Sequence, residues 1–466
     1  MVQLDNPELR KWMILSVSCV AVFMTTLDAS IVNIALPSIT QFYNAPLSSV
    51  EWVVMVYLLL ISSMLLTYGR AGDMYGHRPI FVIGFGIFTV ASIFNSIAPT
   101  IGYLIAARAL QAIGGGMVLA VVQAIIAATF GPQERGKAIG ISLTFVSLGL
   151  ATGPSLGGLL VSYFGWQSIF VINIPVGFIG CILAYQILPG SKTSGQKFDV
   201  AGAAALFVAL TTFLLAMSHG QAWGWTSNII LGLLAVTVIF FTVFILTELK
   251  SAAPMIQISM FNDRFFAASN MAALINYLAQ YTLTFLLPFY LISQMNLPIS
   301  TAGCIISAFP VAMMISSPKA GAMSDKLGFR VLTVAGMAFV GTGMLIVGLV
   351  ALNPRIPFIV LGMVFVGLGS GIFQSPNNNS IMSAVPKSHM GVASGMIATM
   401  RNVGQVMGVA VSGAVFANQM VTYQNLSHPA MYAMRDTFFV AACIAYFGAI
   451  ISLVRGKKSH LKDDIM

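Results

Sequence analysis

Leu27-Asp28-Ala29-Ser30-Ile31-Val32-Asn33-Ile34-Ala35-Leu36-Pro37 closes the first long apolar run of the sequence and puts a carboxylate inside it. The run opens near Met13, so at the ~1.5 Å rise of a helix Asp28 lies about 22 Å along it, beyond the middle of a ~30 Å hydrocarbon layer. Charge at that depth is expensive, and an acidic group there must face a bundle interior or a wet cavity. Burial disfavours the charged form of a carboxyl, which suits it to take up and release protons. The plainer alternative is that Asp28 only hydrogen-bonds a neighbouring helix.

The rest of the chain has the same character. Its 466 residues are 58% hydrophobic and 8% charged, with a mean hydropathy of +0.91; soluble domains carry roughly 25% charged residues. This composition belongs to a polytopic membrane protein. A formal charge of +9 would suit nucleic acid, but the basic residues are scattered between apolar runs and report membrane orientation instead. Cys19, Cys181, Cys304 and Cys443 lie inside apolar runs without metal-like spacing, as small core residues do. The first run follows Arg10-Lys11 but is about 25 residues long and lacks a small-x-small cleavage site, so it reads as a retained first span.

Apolar runs fall at about 13–37, 48–68, 79–98, 101–129, 137–161, 166–188, 200–218, 227–247, 267–293, 300–318, 331–352, 356–382, 391–418 and 437–454, fourteen candidates near or above the ~20 residues a spanning helix needs. An even number puts both termini on one side. Of the 22 Lys and Arg, only Arg355 and Arg435 fall on the opposite side, and only Arg108 and Arg401 lie within spans. The positive-inside rule then places both termini in the cytoplasm.

A pattern Gly-x-x-x-Asp-x-x-Gly-x-Arg occurs twice, as Gly69, Asp73, Gly76, Arg78 and as Gly321, Asp325, Gly328, Arg330, 252 residues apart. Eight spans separate the copies where a plain six-plus-six duplication has six. The spans at 200–218 and 227–247 are therefore read as an inserted pair. Expected domains are a six-helix bundle over 1–190, a linker with the inserted pair over 191–263, a second bundle over 264–455 and a tail over 456–466. Pseudo-repeated six-span halves around a central site are a transporter architecture. In the repeated loop the glycines permit close approach of helix ends, while Asp and Arg pair across the loop or cap helix termini, a suitable latch for a gate.

Arg108 in the fourth run needs a carboxylate, carbonyls or water. It is a partner for the proton cycle or, equally, a structural group bound to carbonyls. In the fifth run Gly149, Gly153, Pro154, Gly157 and Gly158 predict close helix contact with a kink, a pivot between halves. The second half is neutral apart from Arg401: Asn276 and Gln280, then Gln374 and Asn377-Asn378-Asn379, then Asn402 and Gln405. These groups would bond a substrate or one another. Tyr57, Tyr277, Tyr281, Phe285, Phe289 and Phe373 are candidates to line an apolar cavity.

Together these residues resemble the major facilitator superfamily, specifically its fourteen-span drug:proton antiporters. The likeness rests on the stretch ending at Pro37, both loop copies, Arg108 with Gln111, and Gly149 to Gly158, and it covers nearly the whole chain. It implies an all-α polytopic membrane protein of the major facilitator fold, with two pseudo-repeated six-helix bundles plus two inserted helices. It associates Asp28 and Arg108 with proton coupling, Asp73 and Arg78 with conformational switching, and Gly153-Pro154 with antiport. Two departures stand out. Ala112 replaces a usual Gly, and Glu51, at the outer end of the second run, replaces a neutral residue. Glu51 is either a second titratable group or a hydrated interfacial one.

The expected function is proton-coupled export of an amphiphilic or lipophilic small molecule by alternating access. The expected substrate contacts are Asn33, Tyr57, Gln111, Asn276, Gln280, Tyr281, Phe285, Gln374, Asn378 and Arg401. The expected setting is a monomer in the bacterial cytoplasmic membrane, with no cofactor beyond the proton gradient, no metal and no nucleic acid. Dication exporters of the family carry extra acids in the second half. Their absence here points to monocationic, zwitterionic, neutral or anionic cargo, with Arg401 as counter-charge in the last case. Export of an endogenous lipid or metabolite, or facilitation without protons, is the alternative. An enzyme is disfavoured, because His77, His219, His389, His428 and His460 fall in loops or the tail and no nucleophile–base set appears. A sensor would need a soluble domain.

Overall fold

The structure, a computed structural model, describes residues 7–45, 47–190, 198–251 and 254–454. The start of the expected linker, 191–197, and the tail, 456–466, lie outside the described residues, as do the side chains of Pro154 and Asp325. Every regular element among the described residues is helical, as befits a chain whose backbone must satisfy its hydrogen bonds within hydrocarbon. The long helices are α1 Pro7–Tyr43, α2 Leu47–Tyr75, α3 His77–Ser96, α4 Ile101–Thr129, α5 Arg135–Phe164, α6 Asn173–Ile187, α7 Val200–Trp223, α8 Asn228–Lys250, α9 Arg264–Phe289, α10 Ala308–Leu327, α11 Phe329–Val350, α12 Ile356–Ala384, α13 Met390–Thr422 and α14 Pro429–Val454.

Thirteen described helices are long and apolar enough to cross a membrane. The exception among the fourteen expected runs is α13. It is 33 residues long, but Arg401, Asn402, Gln405, Asn418 and Gln419 make it more polar than the others. Two runs are broken. A short turn, Ser168–Val171, precedes α6, and Ile299–Ile306 precedes α10. Past Pro288, α9 continues as a π-helical turn, Tyr290–Gln294.

Local sequence explains the ends. Thr100, Asp199, Ser227 and Asp263 cap α4, α7, α8 and α9 by accepting from first-turn amides. The repeated loops end on Gly76 and Gly328, at φ +101° and +83°, directly before α3 and α11. That conformation favours glycine, so both copies need the residue for the same turn.

Within the first set, α1 packs against α5, α2 and α3 against α4, and α3 against α6. In the second, α9 packs against α13, α10 and α11 against α12, and α11 against α14. The sets meet through α2 on α13, α5 on α10, α4 on α13 and α5 on α12. Of the apolar cores, the two largest are one wholly within the second set and one that joins α1–α6 to Ile381 and Ala393. The pair α7–α8 attaches through α7 to α2 and α13, and α8 packs on α7 with most of its surface exposed.

Candidate functional site

Asp28 is fully buried, on a turn of α1 enclosed by α3, α4 and α6. Its Oδ2 accepts from Arg108 Nη1 at 2.5 Å, and its Oδ1 accepts from Gln111 Nε2 at 2.9 Å and Asn173 Nδ2 at 3.0 Å. Arg108 is equally buried. It also donates from Nε to the Val53 carbonyl at 3.1 Å and from Nη1 to Gln111 Oε1 at 2.7 Å, and its guanidinium lies over the Tyr57 ring at 4.0 Å. Gln111 in turn donates to Ser92 Oγ and accepts from Asn95 Nδ2.

Taking two charges out of water costs several kcal/mol per ion, and the pair persists only with close geometry and further hydrogen bonds. Here those bonds are present. Besides the carboxylate, the Arg108 guanidinium has carbonyl, amide and aromatic partners of its own.

The glycines of α5 hold this turn in place. A Cβ at Gly149 would crowd the Phe23 carbonyl and the Leu27 amide, and one at Gly153 would overlap Ser30 Oγ, which donates to the Gly149 carbonyl at 3.1 Å. Gly157 faces Ile31, and Gly158 faces open space. The expectation of a pivot between halves is corrected: these glycines seat α5 on α1 within one half. It is Gly140 and Thr144, nearer the start of α5, that meet α10, at Ser317 and Met314.

A second polar cluster occupies the other half. Gln374 Nε2 donates to Asn276 Oδ1 and Gln280 Oε1, both at 3.1 Å, and Tyr277 OH donates to Gln374 Oε1 at 3.1 Å. Asn276, Gln280 and Gln374 therefore satisfy one another first. Tyr57 and Gln111, expected on a cavity wall, belong instead to the Asp28–Arg108 cluster. Tyr281 is half-buried on α9, Phe285 packs edge-on to Phe289, and Asn33 is exposed. Glu51 is exposed at the start of α2 and takes no part in the Asp28 cluster.

Between the halves lies a narrow cavity of about 20 Å³, lined by Val22 of α1, Gln123 of α4, Leu143 of α5, Tyr277 of α9, Asn378 of α12, and Ser394 and Arg401 of α13. That is room for a single water, so the cleft is nearly shut. Gln123 Oε1 and Ser394 Oγ are buried without partners, and Arg401 makes no ion pair among the described residues. Sequence reading missed Gln123, Ser394, Ser92, Asn95 and Asn173. Each is a lone neutral polar residue in an apolar run, a signal many satisfied core residues share.

The repeated loop closes one face of the molecule. Asp73, at the end of α2, accepts from the Gly391 and Val392 amides at 2.6 and 2.9 Å, so it caps α13 of the opposite half, and His77 Nε2 lies 3.1 Å from its Oδ1. A Cβ at Gly69 or Gly391 would overlap the other's carbonyl oxygen, and one at Gly321 would overlap that of Gly136. Arg78 does not pair with Asp73. It donates to the Tyr185 carbonyl at 2.5 Å and lies over that ring, because α6 brings a carbonyl and an aromatic face within its reach. Arg330 is exposed, and the Asp325 side chain lies outside the described residues.

Comparison with known proteins identifies the family. The family model described as "Major Facilitator Superfamily" matches residues 18–409 and 269–463. The riboflavin transporter RibZ of Clostridioides difficile (strain 630) is 33% identical over 97% of this chain and 98% of its own length. The multidrug resistance protein Stp of Mycobacterium tuberculosis (strain CDC 1551 / Oshkosh) is 32% identical over 85% of this chain and 74% of its own. Among solved structures, the human organic anion transporter MFSD10 superposes with a TM-score of 0.69 at 12% identity, covering 95% of this chain and 99% of that one, a likeness of fold.

Proposed function

This chain belongs to the major facilitator superfamily, whose members are membrane transporters and not enzymes, and from that premise we propose that it is a proton-coupled exporter of an amphiphilic small molecule. The observation that carries the reading is Asp28, fully buried yet bound to Arg108, Gln111 and Asn173. A buried carboxylate so placed is a proton site that the rest of the half is built to sense.

In this account α13 completes fourteen spans, two six-helix halves alternate around the cleft at Arg401, and both termini face the cytoplasm of a bacterium whose plasma membrane holds the protein as a monomer. The Asp73 cap on α13 and the glycine contacts then form the cytoplasmic gate, shut in this state. Protonation of Asp28 weakens its hold on Arg108, α1 and α4 shift against each other, and the gate opens. Deprotonation to the cytoplasm restores the pair. Arg401 offers a positive charge, Ser394 a hydroxyl and Gln123 Oε1 an acceptor, which favours a polar cargo that carries a donor for Gln123 and an acceptor or negative charge for Arg401.

The likeness to a riboflavin transporter, over 97% of the chain, favours a second reading in which the same cleft carries a heteroaromatic metabolite. Proteoliposomes with an imposed pH gradient separate the readings when challenged with lipophilic cations, anionic amphiphiles and riboflavin. The proposal expects proton flux on adding an amphiphile, lost in well-folded Asp28→Asn. Undiminished flux in that variant overturns the proton site, and flux with riboflavin alone selects the second reading.

A further inference from the structure

A cavity of about 640 Å³ lies away from the central cleft, between the inserted pair and α2, α9 and α13. Its volume falls within the roughly 300–1,000 Å³ range of small-molecule pockets. The walls are apolar: Leu206, Leu210 and Phe213 come from α7, Phe241 and Phe244 from α8, and Met271 and Met400 from α9 and α13. No charged residue lines it.

Two buried polar atoms in those walls have no partner. Asn270 is 2% exposed. Its Nδ2 donates to the Phe266 carbonyl at 2.9 Å, but its Oδ1 accepts from nothing. Thr399 is 1% exposed, and its Oγ1 is likewise unbonded, without even the bond to a carbonyl four residues back that Thr144, Thr282 and Thr342 make. The two are neighbours by register. Gly404 of α13 meets Leu274 of α9 and Gly408 meets Leu278, so one turn earlier Thr399 and Met400 stand opposite Asn270. A buried acceptor left unpaired costs about 1–3 kcal/mol, and here a second unpaired polar atom belongs to the lining of the same apolar chamber.

The geometry points to a binding site for a neutral lipophilic molecule with one hydrogen-bond donor, a hydroxyl or amide, that donates to Asn270 Oδ1 while its apolar body fills the space between α7, α8, α9 and α13. A charged head finds no counter-charge in this cavity, and a bare acyl chain leaves Asn270 and Thr399 as they are. The site lies outside the Asp28 cluster and does not depend on proton coupling. It shares α13 with the central cleft: Thr399 and Val403 face the side cavity, while Ala398 and Arg401 face the cleft.

The test uses the full chain in lipid nanodiscs with no gradient. The probes are dodecanol carrying a mid-chain diazirine and the methyl ether of that compound, which has the same chain but no donor. Saturable photolabelling is expected on α7, α9 and α13, with the ether at least about tenfold weaker, the factor equivalent to 1.4 kcal/mol. Asn270→Leu combined with Thr399→Val should bring the alcohol down to the ether's affinity, and Leu210→Trp should abolish saturable labelling by both. Equal affinity of alcohol and ether for the wild type overturns the proposal in favour of an acyl chain. Labelling spread evenly over lipid-facing helices overturns the site itself. The alcohol-to-ether ratio on the wild type decides the matter even if the double variant fails to fold.

Discussion

The two halves solve one packing problem with different chemistry. In the first, α1 and α4 meet at Asp28 and Arg108, two opposite charges wholly removed from water. In the second, α9 and α12 meet at Asn276, Gln280 and Gln374, three amides that satisfy one another. Gln280 follows Asp28 by 252 residues, the interval that separates the two loop copies; on the repeat proposed above, a carboxamide takes the place of the other half's carboxylate. A neutral cluster has one stable arrangement. A buried ion pair has two, paired and proton-neutralised, and on the account proposed above that asymmetry makes the first half the responsive one and the second its frame.

Removing Arg108 should have the largest effect. Arg108→Ala leaves Asp28 buried without its counter-charge, at a cost of about 3–5 kcal/mol. The carboxyl must then bind a proton to stay buried, so the variant's thermal stability should recover on acidification and fall as pH rises. Equal loss at every pH would mean the pair is structural packing alone.

The gate contact comes next. Gly69→Ala pushes a methyl into the Gly391 carbonyl, and such overpacking costs about 1–3 kcal/mol. Because the clash exists only while α2 and α13 are in contact, spin labels on the ends of these helices should report a shift toward the separated state. Distances unchanged from wild type would remove this contact from the gate.

The comparison predicts a smaller and differently directed change in the second half. Gln374→Leu strands Asn276, Gln280 and Tyr277 and should cost about 1–3 kcal/mol, while the pH dependence of transport that the proposal expects should be unchanged once the protein is folded. A shifted pH profile in this variant would show that both halves take part in coupling.

The helices were legible in the sequence because a chain that crosses hydrocarbon must write each span as an apolar run, and the runs from 101–129 and 356–382 agree with α4 and α12 to within a few residues. Boundaries inside runs were not legible. Pro37 lies within α1, which continues to Tyr43, while the run at 300–318 breaks at Ser307, three residues before Pro310; a proline removes one backbone donor in either place, and its presence alone does not say whether the helix runs on or breaks. Asp28 and Arg108 stood out because charge is rare in such runs. Their neutral partners Asn173, Asn95 and Ser92 did not, since an asparagine or serine in an apolar helix looks the same whether it serves a carboxylate or a carbonyl. The glycines of α5 were visible as a packing surface, but spacing alone could not say that the surface meets α1 and not the other half. His219 was expected in a loop and lies within α7 instead, stacked on Trp52 and tilted against Trp223.

The most direct test is infrared difference spectroscopy of the purified protein between alkaline and acidic pH, reading the stretch of protonated carboxyl groups in wild type and in Asp28→Asn. The account predicts a band that grows on acidification in the wild type and is missing in the variant, accompanied by separation of spin labels placed on the ends of α2 and α13. The same band in Asp28→Asn, or no such band in either protein, would contradict it.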